Sequence, residues 1–229
     1  MTVRSSGAPR QPTEGATVIH KFKAIGTAVV AVLAVNAVMA SAAVAEGSYT
    51  ASKYPTTVTG VSALGNSVFT TEGGTAECVT HYEAAVTEPS SQLTTKSLIS
   101  NCKAFGFVTA TVTMGSCDHL FTTPTNTGTP GQWTVKIHVK CTNPAEPMWI
   151  IAANCELTVG EQSPGGHVII TNTAGEVDVQ ATVTGINYTV IKDGFLCPFA
   201  GTGAKTGATY KHQKAVNFKA TNGASVDIG

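Results

Sequence analysis

Apolar and polar residues alternate with a period of two along much of this chain. Trp133, Val135, Ile137, Val139 and Cys141 share one face, while Thr134, Lys136, His138 and Lys140 share the other. That is the pattern of a strand with one side against a core. Val108, Ala110, Val112 and Met114 oppose Phe107, Thr109, Thr111 and Thr113 in the same way. Over residues 148–159 the apolar set reads Trp149, Ile151, Ala153, Cys155, Leu157 and Val159, against a more polar set ending Asn154, Glu156 and Thr158. In residues 177–183 the apolar positions are odd-numbered, and from Ile186 through Tyr188 to Val190 they are even-numbered. The slip at Thr184-Gly185 predicts a β-bulge, where glycine is the usual residue.

Near the C-terminus, Thr221-Asn222-Gly223 reads as a three-residue hairpin loop with Gly223 in the left-handed position. This register would pair Ala220 with Ala224, Phe218 with Val226 and Val216 with Ile228. No window keeps a helical period. The pattern predicts an all-β domain, an antiparallel β-sandwich with one face of each sheet buried.

One stretch is different. Residues 21–45 carry Lys21 and Lys23, then a long uncharged apolar run, then Ala43-Val44-Ala45 before Glu46. That is the layout of a secretory signal with its cleavage site. Residues 1–45 are therefore read as leader and signal peptide, and residues 46–229 as a single secreted β domain. The alternative is a membrane anchor over residues 24–45, since about 20 apolar residues span a bilayer.

Removing the leader changes the charge. Arg4, Arg10, Lys21, Lys23 and Glu14 lie within it, so of 14 basic and 14 acidic residues, ten and thirteen remain. No arginine remains. Nucleic-acid and phosphate recognition lean on arginine forks and basic patches, so both are disfavoured.

All six cysteines, Cys78, Cys102, Cys117, Cys141, Cys155 and Cys197, follow the leader. Six cysteines allow fifteen connectivities. The first two sequential intervals are equal, which suggests the pairs 78–102, 117–141 and 155–197. Cys141 and Cys155 lie in phase with apolar neighbours and should be buried. Cys78-x-x-His81 and Cys117-Asp118-His119 could supply partial zinc ligands, but no paired C-x-x-C knuckles occur. In an exported chain the disulfide reading prevails, and neither a metal nor a cofactor is expected.

Candidate chemistry is sparse. Gly201-Thr-Gly-Ala-Lys-Thr206 resembles a phosphate loop, yet Ala204 stands where glycine must precede the lysine. Ser163 has small neighbours but no G-x-S-x-G elbow. His81, His119, His138, His167 and His212 are scattered singly and read as surface residues. Asp118 and His119 form the most plausible polar catalytic pair. Glu72, Glu77 and Glu83 could supply paired carboxylates for glycoside cleavage. Trp133 and Trp149 lie in phase with core residues, which leaves Tyr49, Tyr54 and Tyr210 as candidate exposed aromatics.

The segments TASKYPTTVTG, NCKAFGFVTATVTMGSCDHLF, IIAANCELTVG and GFLCPFAGTGAKTGATY resemble a group of small secreted proteins from soil actinobacteria. The likeness covers most of the chain after the leader. It implies export, the cysteine framework and the β architecture, and it carries over no functional residue. The resulting expectation is a non-enzymatic binding or structural module, secreted or held at the cell surface. Its partner would be an extracellular or cell-envelope ligand, with no nucleic acid, and with membrane contact only through an uncleaved signal. An extracellular hydrolase of envelope or environmental polymers is the alternative, for which Asp118, His119 and a nearby glutamate should share a cleft.

Overall fold

The computed structural model describes residues 46–229 except 196 and 200. The signal segment and the alternative anchor lie outside the described residues. Sixteen strands are present among the described residues: β1 Tyr49–Ala51, β2 Thr56–Thr71, β3 Gly74–Val86, β4 Leu93–Ala104, β5 Val108–Thr113, β6 Cys117–Phe121, β7 Thr125–Asn126 and β8 Gln132–Val135, then β9 Ile137–Cys141, β10 Met148–Ala152, β11 Cys155–Val159, β12 Gly165–Asn172, β13 Val177–Asp193, β14 Gly203–His212, β15 Val216–Ala220 and β16 Val226–Ile228. Every described pairing is antiparallel.

The expected sandwich gives way to a closed barrel. The path β11-β10-β5-β4-β3-β2-β14-β13 returns to its start because β11 also pairs β13, with Leu157 opposite Val190. Closure removes the sheet edges that a sandwich would expose. Four long strands, β2, β3, β4 and β13, run past this ring into a second one. There β4 pairs β6, β6 pairs β9, β8 pairs β12, and β15 joins β13 to β2. The second ring closes through Lys136, the single residue between β8 and β9.

At the waist between the rings the strands step. β2 slips between Ser62 and Ser67, β3 between Glu77 and Val79, and β13 between Val183 and Ile186. The last is the bulge predicted from the phase change, and Gly185 takes a φ of 69° there. Consequently Val179, Ala181 and Val183, then Ile186, Tyr188 and Val190, are all buried.

The interior is largely apolar, and outward positions such as Thr109, Thr111 and Thr113 are exposed threonines. That is the reverse of a lipid-facing barrel, which carries its apolar band outside.

Two registers differ from expectation. Residues 148–159 are not one strand but the β10–β11 hairpin, turning at Ala153-Asn154. The turn resets the phase, so Ile150 and Ala152 point inward with Cys155, Leu157 and Val159, while Ile151 is exposed and Trp149 is half-buried. At the C-terminus, Gly223 is left-handed with φ 72°, and Val216, Phe218, Ala220, Ala224, Val226 and Ile228 are all buried. Yet β15 and β16 do not pair with each other. β15 fills the wall between β13 and β2, and β16 pairs β1 through Tyr49 opposite Ile228. Two waiting ladders outcompeted the local hairpin.

Disulfides join Cys78 to Cys102, Cys117 to Cys141 and Cys155 to Cys197. The first links neighbouring strands β3 and β4 and the second links β6 and β9, so each reinforces a ladder. Cys155 is buried, but Cys141 is only half-buried at the end of β9. Three disulfides accord with an oxidising, extracellular compartment.

Candidate functional site

The predicted catalytic pair is split by the strand that carries it. Asp118 and His119 are consecutive on β6 and therefore face opposite sides. Asp118 stands across from Lys140, and His119 stands between Thr95 and Val139. His119 turns inward, where its Nδ1 lies 3.0 Å from Ser97 Oγ. Burial, with a smaller contribution from nearby His212, pushes its pKa down to about 4. Of the three glutamates considered with it, Glu72 instead forms an ion pair with Lys205 at 3.1 Å.

A polar cluster that the sequence reading missed occupies the waist. Tyr82 Oη lies 3.0 Å from His212 Nε2 and 2.5 Å from Tyr210 Oη. Tyr210 donates to Ser67 Oγ at 3.0 Å, and Ser67 donates to Ser62 Oγ at 2.6 Å. His212 Nδ1 is 3.2 Å from the Val179 carbonyl oxygen. A carbonyl only accepts, so Nδ1 carries the proton and Nε2 accepts, with the Tyr82 and Tyr210 hydroxyls both in reach at 3.0 and 3.1 Å. Burial lowers the His212 pKa, partly offset by that carbonyl, and burial raises the pKa of both tyrosines. The cluster is thus neutral. His212 is buried rather than superficial, and Tyr49 and Tyr210 are not exposed platforms. Phase held the clue for two members: Tyr210 and His212 alternate with Thr209 and Lys211 and follow buried Ala208. Ser62 and Ser67 flank a bulge and gave no signal.

Beside this cluster lies a cavity of about 90 Å3, walled by residues such as Phe69, Val112, Met148, Ile150 and Val183, with His119, Tyr82 and Tyr210 contributing polar groups.

On the outer surface, His138 Nδ1 contacts Ser163 Oγ. They line an open groove with Lys140 and Glu161, which form an ion pair at 3.0 Å. Among the described residues no carboxylate hydrogen-bonds His138 to complete a triad.

The end of the first ring presents a different surface. Ala110, Ala152, Cys155 and Asp193 are successive cross-strand neighbours there. Phe107 precedes this row and Phe195 follows it, 82% and 83% exposed. Three strand spacings separate their strands, roughly 14 Å. The β4–β5 and β10–β11 turns contain Phe105 and Ala153 at φ 54° and 50°, conformations costly for residues with a Cβ. The Phe195 loop is tied to the β10–β11 hairpin by Cys155–Cys197 and by Gly194 N–H donating to the Asn154 carbonyl at 3.0 Å.

Among the described residues no cluster of three or more histidine, cysteine, aspartate or glutamate side chains is placed to hold a metal. Gly201-Thr206, the phosphate-loop lookalike, leads into β14, where Lys205 serves Glu72. Comparison with protein-family models, with curated proteins and with solved structures finds no match to this chain.

Proposed function

We propose that this chain is a non-enzymatic binding module that works outside the cytoplasm and engages an envelope or extracellular ligand through the Phe107–Phe195 end of its barrel. The carrying observation is the presentation of two almost fully exposed phenylalanines at one end of the barrel, one of them on a loop tied by a disulfide. Isolated exposed apolar residues are ordinary, but two aromatic side chains on one barrel end, one of them on a tethered loop, lower the ordering cost of binding. Export by a leader over residues 1–45 belongs to the same proposal, and so does membership of the secreted actinobacterial group. N-terminal sequencing of protein recovered outside the cells should begin at Glu46.

The central test is a screen of the purified domain against envelope glycans, polymers and lipid vesicles, assayed for both retention and turnover. Retention without turnover, lost in Phe107→Ser/Phe195→Ser, supports the module. Equal retention by that double variant would overturn the site.

The His138–Ser163 contact favours a second reading, an extracellular hydrolase with Ser163 as nucleophile and His138 as base. Covalent labelling of Ser163 by a fluorophosphonate, abolished in His138→Ala, would support it. An unlabelled, folded protein removes it.

A further inference from the structure

The waist cavity carries an inference independent of the aromatic end. Its wall is almost wholly apolar, and most polar groups on it already have partners. Tyr82, Tyr210 and Ser67 bond within their cluster, and Thr80 serves Tyr82. His119 is the exception. Its Nδ1 is taken by Ser97, while no hydrogen bond reaches Nε2 among the described residues. The ring is half-buried and lines the cavity.

This combination suits water poorly, because a buried water needs two to four polar partners. The volume excludes cofactors and drug-sized molecules, whose pockets run to about 300 Å3 and more. It is also below the roughly 150 Å3 of an apolar cavity that holds benzene. The chemistry of the free nitrogen sets the remaining requirement. If Ser97 donates to Nδ1, Nε2 carries a proton and donates; if Nδ1 donates to Ser97, Nε2 accepts. A hydroxyl group satisfies either tautomer because it can both donate and accept.

We propose that the waist cavity binds a short-chain aliphatic alcohol, its hydroxyl on His119 Nε2 and its alkyl chain against Phe69, Val112, Ile150 and Val183. On the scale that gives benzene roughly 150 Å3, an alcohol of one or two carbons fits the space. Entry runs past half-buried Met148 and Pro164, where the wall changes from β11 to β12. Met148 is unbranched and can swing aside.

The test titrates ethanol into the whole exported domain, following the imidazole 15N resonances of His119 by NMR. A saturable shift confined to Nε2, with Nδ1 unmoved, is expected. His119→Leu should weaken ethanol binding about tenfold, the loss of one hydrogen bond. Filling the space with Ala76→Leu should abolish it. No saturable shift, or exchange with water alone, would overturn the proposal, as would equal affinity in a folded His119→Leu. If His119→Leu does not fold, the Nε2 resonance of the unaltered protein decides: an Nε2 shift supports the site and its absence rejects it.

Discussion

Tyr82 and His212 meet inside the waist, phenol oxygen to Nε2 at 3.0 Å, although 130 residues separate them in the chain. The contact joins β3 to β14 where both rings share their walls. Tyr82→Phe removes a hydroxyl that contacts His212, Tyr210 and Ser67. A buried group left unsatisfied costs about 1–3 kcal/mol, so urea denaturation should show a loss of that size. A neutral result would mean the cluster carries no stability.

The two inward histidines set an acid limit. Each has a folded pKa below its ordinary value, so the unfolded chain takes up protons first as pH falls. Their contribution is fully present above about 6.5 and is lost as pH drops through the folded values. For His119 the gap from 6.5 to about 4 corresponds to about 3 kcal/mol. His119→Leu should flatten the decline in stability between pH 6.5 and 4; an unchanged slope contradicts the assignment.

Each disulfide closes a loop of 24 or 42 residues, worth about 3–4 kcal/mol on the chain-entropy model. Together they match the whole net stability of an ordinary domain. Reduction should therefore unfold the barrel at ambient temperature, read by circular dichroism. Persistence of the native spectrum after full reduction would show that the core suffices.

Gly115 provides a steric test. Its φ is 59°, and a Cβ there would lie 2.3 Å from the Pro147 carbonyl oxygen and 2.4 Å from that of Glu146. Gly106, at φ 81°, has nothing within 4 Å of such a Cβ. Gly106→Ala should cost about 1–2 kcal/mol from backbone strain alone, and Gly115→Ala clearly more. Thermal melts of the two variants compare them directly.

Phe107 and Phe195 should behave as surface residues towards folding. Changing either to serine should alter stability by no more than about 0.5 kcal/mol, whereas Phe105→Ser removes a half-buried ring packed against the core. Large losses at Phe107 or Phe195 would reveal a structural role and undercut their assignment to binding.

Local periodicity determined much of this protein. The strand faces around Val108, Trp133 and Val177, the bulge at Gly185 and the left-handed Gly223 follow from side chains alternating on a pleated backbone, which needs only neighbours in sequence. Tertiary structure decided closure. A period of two states which residues are buried, but a sandwich and a barrel bury the same faces, and only the long-range pairing of β11 with β13 distinguishes them. It also decided which partners won: β15 left its hairpin for β2 and β13, and Ala153-Asn154 turned one apparent strand into two. The waist followed from the same pairings. His119 and His212 come from strands far apart in the chain, and only their meeting inside closed rings gives either one its burial.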